Sequence, residues 1–174
     1  MEEVSLQEML AAREHRSALQ TRLLQQYKKS LISFTLNIPG PVKVPDGVPQ
    51  AFATGCRRIE ALLKDRLVLV QHMETIKEKT GYEAFYCIDA NPEFIKTLMV
   101  TLEDQDRLGR LFDIDVIRPD GSKVSREELG RPPRTCLLCK EPAHACSRSR
   151  RHSVAELVEE IQTILREGSF RSDE

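Results

Sequence analysis

Residues 111–116 read Leu111-Phe112-Asp113-Ile114-Asp115-Val116. Apolar and acidic side chains alternate with a period of two, the period of a strand rather than a helix. On that reading Phe112, Ile114 and Val116 share one face, and Asp113 and Asp115 stand side by side on the other. Carboxylates this close repel each other unless a cation or a proton intervenes. Mg²⁺ would suit them, since it takes hard oxygen ligands and is commonly held by one or two carboxylates plus substrate phosphates. Gly109, just upstream, would let a phosphate approach the backbone, and Arg110 would offer a guanidinium fork. Two solvated carboxylates on an exposed strand face are the alternative, and the pattern alone leaves both open.

Working outward, the other segments predict helices and strands without regular βαβ alternation, which points to an α+β domain. Ser5-Leu6-Gln7-Glu8 forms a capping box. Leu6, Leu10, Leu19, Leu23, Leu24 and Tyr27 then recur at helical spacing, predicting a helix over residues 5–29. A strand is expected from Leu31 to Ile38, stopped by a rigid exposed loop at Pro39-Gly40-Pro41 and followed by Lys43. Residues 48–64 read as a helix with Ala51, Ile59, Leu62 and Leu63 inward. Leu67–Ile76 and Tyr82–Ile88, joined by Lys79-Thr80-Gly81, read as a β-hairpin, with a helix over 67–77 as the competing assignment. Asn91-Pro92-Glu93 opens a helix to about Glu103. The strand around the Asp pair runs to Arg118 and is closed by Pro119-Asp120-Gly121. Ser125 begins a short helix or turn, Arg131-Pro132-Pro133-Arg134 is extended, and a second capping box, Ser153 to Glu156, opens a final helix to about Arg166. The tail from Gly168 is expected to fray.

A chain of 174 residues suits one domain. It divides into an N-terminal helix (1–30), an α+β core (31–130), a Cys- and Arg-rich loop (131–152) and a C-terminal helix (153–167). Hydrophobic content of 40% and charged content of 30% are ordinary for a globular protein. The net charge of −1 gives no general reason to expect a nucleic-acid or membrane partner. Locally, Arg107, Arg110, Arg118, Arg126, Arg131, Arg134, Arg148, Arg150 and Arg151 make one region basic. That fits an anionic ligand or acidic partner, or else unrelated solvated arginines. No apolar run is long enough for a membrane span, and the acidic start Met1-Glu2-Glu3-Val4 argues against a signal peptide. Five cysteines, an odd number, favour a reducing compartment such as the cytoplasm over a disulfide scaffold.

Cys136, Cys139, Cys146 and His152 are spaced as ligands of a tetrahedral Zn²⁺ could be, with His144 as a further candidate. The prolines at 132, 133 and 142 predict a constrained segment with little regular structure. Small buried thiols, or a redox pair at the two-residue spacer, would also fit. Cys56 and Cys87 read as core residues.

Gly109-Arg110-Leu111-Phe112-Asp113-Ile114-Asp115-Val116 resembles the signature of the holo-citrate lyase synthase family, the apo-citrate lyase phosphoribosyl-dephospho-CoA transferases. Two further stretches resemble it in the same order. One is Ser33-Phe34-Thr35 through Pro39-Gly40-Pro41-Val42-Lys43. The other is Pro133-Arg134-Thr135-Cys136-Leu137-Leu138-Cys139 with Cys146, Arg148 and His152. Where the family pattern leads one to expect His-Pro before Leu-Gly-Arg, this chain has Asp106-Arg107.

The resemblance implies a single α+β domain with a nucleotidyltransferase-like mixed sheet flanked by helices. It implies transfer of a prosthetic group from 2′-(5″-triphosphoribosyl)-3′-dephospho-CoA to a serine of the citrate lyase acyl carrier protein, the gamma subunit, with release of pyrophosphate. It makes Asp113 and Asp115 Mg²⁺ ligands and Arg110 a phosphate contact, with Lys43 and Arg134 as further phosphate contacts. Glu74, Glu103 and Asp120 are open choices for a third carboxylate. Two other functions compete: a non-catalytic zinc-stabilised module that binds a carrier protein, and a nucleotidyltransferase with another acceptor.

Overall fold

A computed structural model describes residues 1–170, with side chains up to Gly168. Helix α1 (Leu6–Tyr27) is followed by strand β1 (Ser30–Leu36), helix α2 (Val48–Asp65) and the hairpin β2 (Leu69–Glu78) and β3 (Gly81–Asp89). Helix α3 (Pro92–Asp104), a 3₁₀ turn (Gly109–Leu111), strand β4 (Phe112–Ile117) and helices α4 (Ala143–Ser149) and α5 (Val154–Phe170) complete the chain.

The strands form one sheet in the order β2-β3-β1-β4, and every neighbouring pair is antiparallel. This corrects the expectation of a mixed sheet. The crossover through α2 carries the chain from β1 to β2, past the place β3 fills. The crossover through α3 carries it from β3 to β4, past β1. Each crossover joins strands of like direction but skips one position, so two βαβ units interleave and all neighbours run opposite ways, the split βαβ arrangement.

One face of the sheet, with Ile32, Phe34, Ala84, Tyr86, Ile88, Phe112, Ile114 and Val116, packs in the main core against α2, α3 and α5. The other face is shorter of apolar side chains. Leu19, Leu23 and Leu24 of α1 cover Leu31, Phe85, Cys87 and Ile117 there. Leu6 and Leu10, expected on the inner stripe of α1, are exposed. Toward its N-terminus the helix overlies polar rungs of the sheet, where Arg16 reaches in to pair with Glu83.

The capping boxes at Ser5 and Ser153 form as expected, and Asn91 caps α3 at Phe94 N. The hairpin assignment for 69–89 holds against the competing helix, because nine of the ten residues of β2 find partners along β3, with an irregularity at Gln71. Two differences lie near the C-terminus. Within the segment expected to lack regular structure, α4 forms just after Pro142, where the missing N–H of proline interrupts no helical hydrogen bond. Helix α5 runs on to Phe170, beyond the expected end at Arg166, and Gly168 lies inside it. Of the tail expected to fray, residues 171–174 lie outside the described residues.

Candidate functional site

The alternation in β4 places its side chains as expected: Phe112, Ile114 and Val116 are buried in the main core, and Asp113 and Asp115 occupy the other face. The antiparallel register sets their neighbours. Asp113 stands opposite Thr35, and Thr35 opposite Glu83. Asp115 stands opposite Ser33, and Ser33 opposite Phe85. Side chains directly opposite on neighbouring strands share a face, so Asp113, Thr35 and Glu83 form one polar rung across three strands. Helix α1 lies over these rungs. Gln20 donates to Ser33 Oγ at 3.0 Å, and Arg16 pairs with the buried Glu83, which is 6% exposed. Beside them is a recess of about 410 Å³ whose walls include Arg13, Arg16, Gln20, Asp115 and Lys123.

The charges around the pair are unbalanced at one carboxylate and met at the other. Asp113 opens to solvent, yet the protein mass around it, the adjacent Asp115 and the nearby Glu103 all push its carboxyl above the usual range. Arg134 and Lys96 pull it back only in part. Asp115 accepts from Lys123 Nζ at 3.0 Å. Lys43 donates to Ile38 O at 2.8 Å, and its pKa is lowered by partial burial and by Arg13. Of these two cations, Arg13 also lines the recess that holds Asp115.

The remaining expected residues are held in other ways. The space above Gly109 is filled, not open: a Cβ there would lie 2.3 Å from Leu102 O, so this glycine lets the end of α3 close on the 3₁₀ turn. Arg110 donates to Thr135 O and lines the larger cavity described below. Arg134 spans the backbone carbonyls of Phe112 (2.6 Å), Arg110 (2.9 Å) and Gly109 (3.4 Å). Of the three open choices for a third carboxylate, Glu74 lies on the rung of Asp115 but at its far end, beyond Ser33 and Phe85, and Glu103 and Asp120 lie off the rungs of the Asp pair. Glu103 accepts from Ile114 N at 3.1 Å and pairs with Arg126. Asp120 accepts from Ser122 within its own turn. Glu74 pairs with Arg22 and His72 on the edge strand β2. Asp106 and Arg107 also act as structural ties. Asp106 receives both terminal nitrogens of Arg58, at 3.0 and 2.8 Å, and the amide of Gly109. Arg107 pairs with Glu160 and Glu167 of α5.

Glu83 is the residue that sequence reasoning missed. It has the same parity on β3 as Phe85 and Cys87, which are buried. A charged residue on the apolar parity of a strand was the available signal.

The second cluster forms from the C-terminal segment. Thr135 bridges to Pro142, folding Cys136 and Cys139 back toward α4. Cys146 comes from α4, and His152 precedes α5. The ligand atoms of Cys136, Cys139, Cys146 and His152 lie within 4.8 Å of one another, so the four could hold a metal ion. Cys139 Sγ is 3.4 Å from Cys146 Sγ and 3.4 Å from His152 Nε2. With Zn–S bonds of about 2.3 Å, a tetrahedral site needs sulfur pairs roughly 3.8 Å apart, so small adjustments suffice. Burial and the neighbouring thiols push the Cys146 thiol up to about 12. For Cys136 burial acts upward, but the amides of Leu138 and Cys139 together with the Cys146 and Cys139 thiols outweigh it and lower its pKa. His144 is not among the four.

Cys136, Cys146 and His152 also wall a cavity of about 790 Å³ between this segment, α5 and the Asn37–Pro39 loop. That loop is docked, not merely exposed: Gly40, at a φ of +83°, lies against Val154 and Val158 of α5, and Pro41 O accepts from Val4 N at 2.8 Å.

A family model described as apo-citrate lyase phosphoribosyl-dephospho-CoA transferase matches residues 4–168. A probable apo-citrate lyase phosphoribosyl-dephospho-CoA transferase of Streptococcus pyogenes serotype M18 is 38% identical over 170 residues, covering 94% of this chain and 86% of that protein. The apo-citrate lyase phosphoribosyl-dephospho-CoA transferase of Escherichia coli O1:K1 is 33% identical over 162 residues, covering 93% and 88%. A protein of Haemophilus influenzae named CitXG is 34% identical over 168 residues, covering 96% of this chain but 36% of that longer protein.

Proposed function

The chain belongs to the apo-citrate lyase phosphoribosyl-dephospho-CoA transferase family, and from that premise we propose how its residues carry the transfer. The donor is 2′-(5″-triphosphoribosyl)-3′-dephospho-CoA and the acceptor a serine of the citrate lyase acyl carrier protein. The serine oxygen forms a bond to the phosphorus nearest the ribose. The bond from that phosphorus to the pyrophosphate oxygen breaks, the serine loses its proton, and pyrophosphate leaves. This is nucleotidyltransferase-type chemistry, resting on positioning and charge neutralisation rather than on a protein nucleophile.

The observation that carries the reading is the pair Asp113 and Asp115 on one sheet face, beside Arg13, Arg16 and Lys123. Their oxygen donors, and the only partly offset charge of Asp113, fit Mg²⁺, which when bound would neutralise the triphosphate and stabilise the leaving group. Arg110, Arg13 and Lys43 would contact phosphate oxygens. Lys123 would move from Asp115 to the donor when a metal takes its place. Arg134, whose nitrogens are engaged by backbone, would act through its charge and by holding the start of β4. Gly109 would place Arg110 rather than touch phosphate. The Arg16–Glu83 pair would fix α1 over the site. At the second cluster, three thiolates and one imidazole are soft and borderline ligands that suit Zn²⁺ as a structural ion. Such thiolates persist in a reducing compartment, which accords with a cytoplasmic enzyme.

The test is intact-mass analysis of apo carrier protein incubated with enzyme, donor and Mg²⁺. We expect a mass gain on one serine and stoichiometric pyrophosphate. Asp113→Asn should lower the rate by about 10²-fold or more, the scale of losing a metal's charge stabilisation. Normal turnover in that variant defeats the assignment of the Asp pair. Carrier binding without any mass gain would favour the zinc-stabilised docking module, and a gain on a different acceptor would favour another nucleotidyltransferase.

A further inference from the structure

The Asp pair and its recess account for the triphosphate end of the donor, but not for the larger cavity. That cavity is close to the upper end of the volumes in which organic ligands and cofactors are held. Its walls are mixed: Leu111, Leu137 and Leu157 supply apolar surface, Asn37 supplies an amide, and Arg110 and Arg150 supply positive charge. A purely apolar ligand would leave those guanidinium groups unsatisfied, and a small anion would leave most of the volume unfilled. The walls suit a long ligand with apolar stretches and phosphate groups.

The cavity borders the ends of the two strands that carry Thr35 and Asp113. The β1–β4 ladder continues one step past Leu36 and Phe112, with Asn37 N donating to Leu111 O at 2.8 Å. Asn37 and Leu111 both line the cavity, and they lie two residues along their strands from Thr35 and Asp113. At a strand's rise that is about 7 Å, a separation one pentose with its linkages can bridge. Arg134 stands in the cavity wall, and its charge acts on Asp113.

We propose that this cavity, between the Cys/His cluster and helix α5, binds the dephospho-CoA arm of the donor while the triphosphate lies over Asp113 and Asp115. The proposal rests on the family's donor being the substrate here. It gives the cluster a purpose beyond tying two chain segments: Cys136, Cys146 and His152 form one wall of the cleft, so a metal held by them would fix that wall.

Free dephospho-CoA is the probe, titrated calorimetrically into the full-length, metal-loaded protein. Val154→Glu puts an acid at a cavity-lining position that is 55% exposed, in the first turn of α5, where an acidic residue suits the helix dipole. Ser147→Trp plugs the cleft without charge from an exposed position on α4. Both variants should keep their metal content and weaken dephospho-CoA by about tenfold or more. Both should raise the KM for donor and leave the KM for carrier protein unchanged. Asp113→Asn should bind dephospho-CoA as the unaltered protein does. No binding by the unaltered protein, or unchanged affinity in both cleft variants, overturns the proposal. Dephospho-CoA bound in the cleft by a protein that never modifies the carrier would sustain the cleft and defeat the reaction.

Discussion

Asp113 carries a charge that its surroundings resist. Burial, Asp115 and Glu103 raise its pKa above the value it has in the unfolded chain. The folded state therefore holds its proton more tightly. The metal-free protein gains stability as pH falls through that window and loses it as pH rises. Asp113→Asn removes the repulsion, so its melting temperature without metal near neutral pH should rise by about 1–2 °C. The unaltered protein should gain thermal stability from Mg²⁺ at pH 8, less so as pH falls toward 5, and the variant not at all. Thermal melts across pH with and without Mg²⁺ check this, and a lower melting temperature in the metal-free variant would contradict it. Gly55 shows the opposite sensitivity, to volume. A Cβ there would lie 2.3 Å from Phe34 Cζ in the main core, so Gly55→Ala should cost about 1–3 kcal/mol, read as an earlier urea midpoint. The alternation in Leu111–Val116 was legible before the structure. The crowding at Gly55 was not, because it depends on a ring that strand β1 presents to helix α2.

At the scale of elements, β4 is an edge strand with its outer side closed by three side chains and a backbone amide. Lys96, itself buried, donates to Ile114 O at 2.7 Å. Glu103 accepts from Ile114 N, Arg134 donates to Phe112 O, and Val124 N donates to Val116 O. Unpaired edges invite other strands to add, and here the edge that carries the Asp pair is occupied. Glu103 is 2% exposed and also pairs with Arg126. Glu103→Ala would leave the buried Ile114 amide without its acceptor and Arg126 with Asp104 alone, and should destabilise by about 1–3 kcal/mol. Glu103→Gln should recover part of that loss by retaining an acceptor. Urea unfolding of both variants decides, and equal loss in the two would show that charge alone matters. Glu103 had been one of three open choices for a metal-site carboxylate. Its role as an edge cap lay beyond the sequence because α3 and β4 meet only after the crossover folds. The length of α3 and its Asn91 cap, by contrast, are local and were read correctly.

For the whole molecule, helix α5 is held by the core contacts of Ile161, Ile164 and Leu165 and by the Arg107 pairs to Glu160 and Glu167, while the Cys/His cluster gathers the segment that precedes it. The apolar contacts should hold α5 without help from the cluster. A strong chelator should therefore release one metal ion per chain and increase hydrogen exchange over residues 135–153, leaving β1, β3 and most of α5 protected. Loss of protection across the whole sheet would contradict that ranking. The sequence by itself determined the helix and strand pattern, the α+β class, the caps, the shared face of Asp113 and Asp115, and a family signature spread over three stretches. These depend on period, on capping chemistry and on motif order, all carried by residues near one another in the chain. Only the tertiary structure decided that the sheet is wholly antiparallel, because strand order depends on which position each crossover skips. It alone brought Glu83 onto the rung of Asp113, set Gly109 against α3 rather than against a ligand, and drew three cysteines and a histidine to within 4.8 Å. Each of those meetings joins side chains from different elements, and packing, not local preference, sets their distances.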